Sequence, residues 1–515
     1  MKQTDLHTSL TLGLNRRPFR TEESVQTQED LAFLRALTRH EKERQGASIS
    51  QIVSITDSIT APVETAAWTP MMATSILKRM ISQDQSSSVE EACTLAADLD
   101  YHIAPDALPS LLEYAESNTP PPFFLQVLGE RGRWLAGQHP TWKRMLPPSE
   151  DSWEYGNPET RLRFLTFLRQ EDPSHARELL EATASQESPQ TLAKFIGTFR
   201  IGLTQADNDF VETMRAHRRK EIRTAATEVQ AFIEGGGRDL RLRNALGPYL
   251  KIHKGMLGKA RWEVTLPTQF QDAWKAEGIQ AKSKNVYQDL GQKSIWMAQL
   301  VAGVSPKHWE SISNKSAEQL VSMTLQSEWG FMLIHGFIAA TVRFRDPDWA
   351  AALLNLYSVR KPYQFPAFKE KRMGTWDREV ISHLFQEDQL ATLLDTVSRT
   401  QRIQMLGTLN EGSFWQAYHW LPHLPEPLTE GAALTVCKML KFQLDQFHHS
   451  LPHSVRRFTY DLPKYTHWIP PKLYPQVAQI WAWNPLEVQW YHPYLERALH
   501  QLDLRYRFYQ SMNQA

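Results

Sequence analysis

Residues 158–183 read PETRLRFLTFLRQEDPSHARELLEAT, and the fold turns on how this stretch is parsed. Leu162, Leu165 and Leu168 recur at helical spacing and present one apolar stripe that runs from Pro158 to near Glu171. Asp172 followed by Pro173 ends that helix and begins another. Aspartate suits an N-cap because its side chain accepts from orphaned backbone N–H groups, and proline suits the first helical position because it has no N–H to leave unsatisfied. Ala176, Leu179 and Leu180 form the face of this second helix.

The same grammar continues downstream. Leu192, Phe195, Ile196 and Phe199 mark a third helix, ended by Gly202, which tolerates the left-handed conformation of a helix C-terminus. Thr204 caps a fourth helix carrying Phe210, Val211 and Met214. A fifth carries Ile222, Ala225, Ala226, Val229, Phe232 and Ile233 before Gly235 to Gly237 break it. Amphipathic helices joined by turns this short run antiparallel to their neighbours, and one pair cannot hide its apolar face alone. The expected fold is therefore all-α, an α-solenoid of HEAT-like antiparallel helix pairs over 147–260.

Outside this array the pattern predicts a helix pair in 90–114, on Ala92, Leu95 and Ala96 and then Leu108, Leu111 and Leu112. A Pro-rich turn at 115–122 precedes another helix from Phe123 to Ala136, ended by Gly137. Beyond Gly237 the regularity weakens. Arg261 to Leu266 alternates around Trp262 and Val264 and predicts one short strand, while 282–285 reads as an exposed loop. Helical signals resume at Gly291, and Pro362, Pro366 and Gly374 mark a break before a helical C-terminal block rich in Trp and Tyr. The resulting division is an N-terminal helical region (1–146), the repeat array (147–260), an irregular segment followed by helices (261–365) and the aromatic-rich block (366–515).

Composition narrows the function classes. At 515 residues and 42% hydrophobic content the chain can bury several cores. Lys plus Arg and Asp plus Glu are each 57, so no global field draws it to nucleic acid or anionic lipid, and a charged partner must be met by a local patch. Two cysteines, Cys93 and Cys437, exclude a disulfide framework and a clustered-thiolate zinc site. The first thirty residues lack the apolar run of a secretory signal, and nothing later reaches the roughly twenty apolar residues of a membrane span. The segment from Phe331 to Val342 reads as a buried helix, and the expected location is cytoplasmic.

Several stretches resemble an uncharacterised bacterial family of HEAT-like helical proteins across nearly the whole chain. They are Leu128-Gly129-Glu130-Arg131-Gly132-Arg133-Trp134-Leu135, Asp172-Pro173 with Ala176-Arg177, and Arg218-Arg219-Lys220-Glu221-Ile222-Arg223. Leu12-Gly13-Leu14-Asn15-Arg16-Arg17-Pro18, Gln299-Leu300-Val301 with His308-Trp309, and Pro470-Pro471-Lys472-Leu473-Tyr474 extend the likeness. Members of that family tend to be encoded beside MoxR-type ATPases, von Willebrand factor A domain proteins and SWIM zinc-finger proteins. The resemblance implies a place in such an ATPase-linked system; it implies no reaction and supplies no catalytic residues or cofactor. It also implies that Arg223, which follows Ile222 ahead of two alanines, serves a polar ladder between repeats.

Candidate chemistry is sparse. Gly255-Met256-Leu257-Gly258-Lys259-Ala260 fails as a P-loop because its first glycine is misplaced and Ala260 stands where a hydroxyl would hold magnesium. No Gly-x-Ser-x-Gly or His-Glu-x-x-His occurs. His448, His449 and His453 are the best metal candidates, with a polar loop as the plainer alternative. From Arg215 to Arg261 twelve Lys or Arg face four acids, a local excess of eight positive charges. Within it Arg215, Arg219 and Arg223 stand four apart, a spacing that predicts one helical face, and with Arg218 and Lys220 they are the candidate phosphate contacts. A solvated helix face is the alternative. Trp481, Trp483 and Trp490 are the candidate partner surface, set against a packing role in the core. The leading expectation is a non-enzymatic interaction scaffold for a protein partner; the second is a nucleic-acid-binding protein using the basic segment.

Overall fold

A computed structural model describes residues 61–254, 260–282, 290–358, 385–407, 420–424, 427–447, 453–484 and 489–514. The chain divides into two compact units, Met1–Ala61 and Pro62–Ala515, and of the first only Ala61 is among the described residues. The second unit is mostly helical, as the periodicity predicts.

It opens with a two-residue strand β1 (Ala67–Trp68), then α1 (Met71–Ser82) and α2 (Ser86–Asp98), a second short strand β2 (Tyr101–His102), α3 (Leu108–Ser117) and α4 (Phe124–Gln138). The strands pair in parallel, Ala67 with Tyr101 and Trp68 with His102. Leu77, Val89, Leu111 and Val127 build the core here, and it is completed from the far end of the sequence by Leu504, Phe508 and Met512. The helix expected over 123–136 is present but broken at Gly129, where φ is +60° and ψ −169°. That conformation is open essentially to glycine alone.

Helices cover each of the five stretches marked from Pro158 on, although the third stops at Gly197, short of Phe199, and the fifth at Gln230, short of Phe232 and Ile233. After the single turn α5 (Asp151–Glu154) come α6 (Pro158–Glu171), α7 (Pro173–Thr183), α8 (Pro189–Gly197), α9 (Asn208–Arg215) and α10 (Lys220–Gln230). Asp172 caps α7 through the N–H groups of Ser174 and His175 at 3.1 and 3.0 Å. Gly202 has φ +57°, and a Cβ there would lie 2.6 Å from the Arg169 carbonyl. Thr204 and Asp207 form a capping box ahead of α9. Leu165, Leu180, Phe195, Val211, Ile222 and Val229 share one buried cluster. Arg223 makes local contacts and not the ladder expected of it. Arg223 is exposed and donates to the carbonyls of His217 and Arg218, whereas fully buried Arg169 pairs with Asp207 at 3.0 Å.

Beyond α11 (Gly237–Leu246), the expected strand is found as β4 (Ala260–Val264), paired antiparallel with β3 (Leu250–Lys254) so that Ile252 faces Trp262. Trp262 turns inward and donates to the Thr324 hydroxyl at 2.8 Å. There follow α12 (Asp272–Ala276), α13 (Gln292–Ala302), α14 (Pro306–Ser313), α15 (Ala317–Leu325), α16 (Gly330–Phe344) and α17 (Pro347–Leu354). The apolar segment from Phe331 to Val342 lies inside α16 and packs against α13. The approach is close because Gly336 has no side chain; a Cβ there would sit 2.7 Å from Val301. No helix among the described residues is long and apolar enough to cross a membrane.

The break expected at Pro362, Pro366 and Gly374 lies outside the described residues. After it come α18 (Glu387–Thr396), α19 (Arg399–Gly407), α20 (Glu430–Phe447), α21 (His453–Asp461), α22 (Tyr474–Ile480) and the long α23 (His492–Asn513). One buried cluster extends from Leu242 to Leu502, so helices on both sides of that break share a core. α23 ends in the N-terminal core instead, and a cleft lies along this crossing.

Candidate functional site

Where α23 crosses from one core to the other it passes α2, and a half-open cleft of about 660 Å³ lies along the crossing. One wall is the exposed side of α2, where Glu90, Thr94 and Asp98 stand at four-residue spacing beside Glu91 and Leu95. The other is built from the loops around Pro422 and Pro427, the stretch from Lys464 to Pro471, and Arg505, Phe508 and Tyr509 of α23.

Arg505 holds these walls together. It is 2% exposed, its Nη2 reaches Glu91 at 2.9 Å, and the same guanidinium donates to the carbonyls of Thr466, His467 and Ile469. A planar fork with five donors suits this task, since it can bind a carboxylate and several carbonyls at once. All of its charge is thus spent within the protein. Lys464, on the same wall, is largely exposed and meets Asp461 at 2.9 Å.

The remaining groups set the electrostatics. Burial, followed by the neighbouring charge of Arg505, pushes His467 down to about 4, so its imidazole is neutral at neutral pH. Burial raises the Glu90 carboxyl above its ordinary value. Neither Glu90 nor Asp98 has an ion-pair partner among the described residues. Cys93, on the opposite side of α2, is fully buried, and burial lifts its thiol to about 12, which keeps it protonated and inert. Phe123 follows the cleft-lining Pro122 in sequence and is not itself among the residues that line the cleft. It adopts φ +57° and is 51% exposed, a strained backbone displaying a large apolar ring.

The basic segment does not form the single face expected of it. α9 ends at Arg215 and α10 begins at Lys220, so the intervening turn separates Arg215 from Arg219 and Arg223. Arg215 reaches Glu277 at 2.6 Å; Arg241 joins Glu277 at 2.8 Å and Glu212 at 2.6 Å; Arg243 binds Asp239. Arg238 is 5% exposed and donates to the Glu277 carbonyl at 2.6 Å, and burial, with Arg343 next, lowers it to about 10. Four of the twelve cations are therefore structural. Arg218, Arg219, Lys220 and Arg223 are exposed, without an ion-pair partner among the described residues. Residues 255–259, which hold most of the P-loop-like stretch, lie outside the described residues.

Trp481 corrects the surface expectation: it is fully buried, with its indole N–H donating to the Cys437 carbonyl at 3.1 Å. Trp483 and Trp490 are half-buried against the same core; the first stacks on His492 at 4.8 Å and the second meets Tyr460 at 5.3 Å. His448 and His449 lie outside the described residues, as does the side chain of His453 at the start of α21. Among the described residues no group of three or more His, Cys, Asp or Glu is placed to hold a metal ion.

A second constellation escaped the sequence reading. The Glu64 side chain, 3% exposed, accepts from the backbone N–H of Arg131 at 3.2 Å and sits 2.7 Å from His102 Nδ1. Burial pushes this carboxyl up, but the N–H of Arg131, His102 and the N–H of Glu130 together outweigh it and hold the group below its ordinary value. The signal available was Gly129 inside a helical run, but nothing local pointed to residue 64.

A family model whose members have no known function matches residues 5–515 of the chain. No curated protein matches it, and no solved structure does.

Proposed function

Since the chain belongs to the family of unknown function DUF5691, a membership that names no activity, we propose from its geometry that it is a non-enzymatic helical scaffold holding a segment of a partner protein in the cleft between α2 and α23. The observation that carries this reading is the state of the cleft's polar groups. Its buried arginine is consumed as a structural tie, one of its two histidines, His467, is neutral, and the unpaired carboxylates of Glu90 and Asp98 stand exposed opposite a wall of proline and tyrosine, as on a recognition surface. The array from α6 to α10 serves as the rigid support, and we read it as HEAT-like stacking on the strength of its short turns and shared core.

The partner put forward by the family resemblance is a MoxR-type ATPase or a von Willebrand factor A protein, met in the cytoplasm. Two free, buried cysteines agree with a reducing compartment. The test is co-expression of the full chain with such a partner from the same cell, followed by size-exclusion chromatography. A stoichiometric complex that is lost on Thr94→Trp, which fills the cleft, and kept on Tyr155→Ser, at an exposed site, supports the reading. A complex indifferent to Thr94→Trp overturns it.

The four exposed cations at 218–223 favour a second reading, contact with a phosphate backbone. Salt-sensitive binding to duplex DNA that disappears on Arg218→Glu with Arg219→Glu would establish it.

A further inference from the structure

A glycine turn and a polar seam join the array of α6 to α10 to the helices that follow it, and we propose that the array swings as a rigid arm about Gly235–Gly237, held closed by an ionic latch between α9 and the turn at Glu277. The proposal stands apart from what the cleft binds. Four observations carry it.

The first is where the apolar packing stops. The array's core ends at Ile233, the large core beyond it begins at Leu242, and the two share no residue. Apolar burial is what fixes one body firmly against another, so its interruption leaves the junction to polar contacts. The second is the connection itself. Gly235, Gly236 and Gly237 lie between the two cores, and Gly235 has φ +66° with nothing within 4 Å of a Cβ placed on it. A turn with that freedom can absorb the change of angle a hinge needs. At its other end the array leaves through the non-helical stretch 147–150, so neither end is held by a continuous helix.

The third is the latch. Arg215 of α9 reaches Glu277 at 2.6 Å, and Glu212 of the same helix reaches Arg241 at 2.6 Å, so each side of the seam supplies one acid and one base. Arg241 also donates to Gln230 at 2.7 Å, and the Ser305 hydroxyl donates to Glu234 at 2.7 Å. Gly237 leaves room for this arrangement, since a Cβ there would lie 2.0 Å from Glu212 Oε1. Water and salt compete for every one of these contacts.

The fourth is the cost of the closed state. Arg238 is 5% exposed, and its Nη1 meets no acceptor. Its Nε and Nη2 donate only to the Glu277 carbonyl, because the carboxylates of Glu277, Glu212 and Asp239 are engaged by Arg215, Arg241 and Arg243. The Nε of Arg215 is also buried without an acceptor. A buried cation lacking a counter-charge is costly, and opening the seam admits water to both groups.

The experiment places two nitroxide labels on the full chain and reads their separation by double electron–electron resonance. Cys93 and Cys437 are buried, so the labels attach to introduced cysteines. Glu178→Cys on α7 with Glu318→Cys on α15 spans the seam, and Glu178→Cys with Glu228→Cys on α10 lies within the array; all three positions are exposed. In dilute buffer the spanning pair is expected to show one narrow distribution. A second distribution is expected on raising salt to about 1 M, where the screening length falls to about 3 Å. Glu277→Gln, which keeps the side chain's shape and removes its charge, is expected to raise that second population at least about tenfold in dilute buffer. The pair within the array should stay unchanged throughout. A spanning distribution indifferent to both salt and Glu277→Gln overturns the proposal. So does an equal change in the pair within the array, since the array would then be unfolding rather than swinging. Where Glu277→Gln does not fold, the salt series on the parent chain decides between the same outcomes.

Discussion

Glu64 Oε1 lies 2.7 Å from His102 Nδ1, and the space that lets the two meet is the missing side chain of Gly129. A Cβ on Gly129 would come within 2.4 Å of both the Glu64 carboxylate and the His102 ring, at backbone angles that an L-residue rarely adopts. The break in α4 thus exposes two backbone N–H groups, and Glu64 satisfies them from 66 residues upstream. Gly129→Ala is expected to cost about 3 kcal/mol or more, because strain and steric conflict add. Gly137→Ala, in a part of α4 where a Cβ meets nothing closer than 3.9 Å, should be neutral or slightly stabilising. Chemical denaturation of the two variants side by side checks the contrast.

The pair Arg169 and Asp207 gives a sharper test of the array. Both side chains are fully buried, and Arg169 also donates to the carbonyls of Ile201, Pro173 and Gly202 while lying over the Phe199 ring at 4.3 Å. Asp207→Asn strands the buried Arg169 charge, and Arg169→Met leaves Asp207 with Arg177 at 3.2 Å but frees the carbonyls that Arg169 served, so each should cost about 3–5 kcal/mol. The double variant should cost clearly less than their sum. A sum that is simply additive in urea denaturation would mean that the two groups do not act as a unit.

What the sequence reveals and what it hides follows from range. Asp172-Pro173, Gly202 and Thr204 act through neighbours within a few residues, and their roles in capping and turning are readable from the residues alone. The buried stripes of α6 to α10 are likewise periodic. The site is written in another way: Arg505 meets Glu91 across 414 positions, and Glu277 neutralises Arg215 from 62 positions away. A count of charges in 215–261 therefore overstates the free positive surface, because its counter-charge is supplied from outside the window. The cleft between α2 and α23 has no local signature for the same reason.

His467 makes the region around Arg505 sensitive to acid. Its folded pKa is about 4 against an ordinary 6.5, so the unfolded chain takes up a proton first as the pH falls. The stability this neutral histidine permits is complete above about pH 6.5 and is lost progressively as the pH drops toward 4. The slope is at most about 1.4 kcal/mol per pH unit, roughly 3 kcal/mol across the window. In His467→Asn the urea midpoint should fall less between pH 7 and pH 5 than it does in the parent chain. Other titrating groups are common to both proteins and cancel in the difference.

The basic segment should separate into two functional classes when its charges are reversed one at a time. Arg241 bridges Glu277, Glu212 and Gln230, so Arg241→Glu places a third acid beside two that are already partly buried. We expect it to cost several kcal/mol, of the order of a disrupted buried network, and to lower expression of folded protein. Arg218 and Arg219 face solvent without an ion-pair partner among the described residues, so their reversal to Glu should move the melting temperature little, within about 0.5 kcal/mol. That tolerance makes Arg218→Glu with Arg219→Glu the clean variant for DNA binding. If the four exposed cations contact phosphates, the logarithm of the affinity should fall with the logarithm of salt at a slope of about −3 to −4, reduced by about 2 in the variant. If the patch is only a solvated helix start, parent and variant should show the same weak, shallow salt response, and the cleft would stand as the sole recognition surface proposed for the chain.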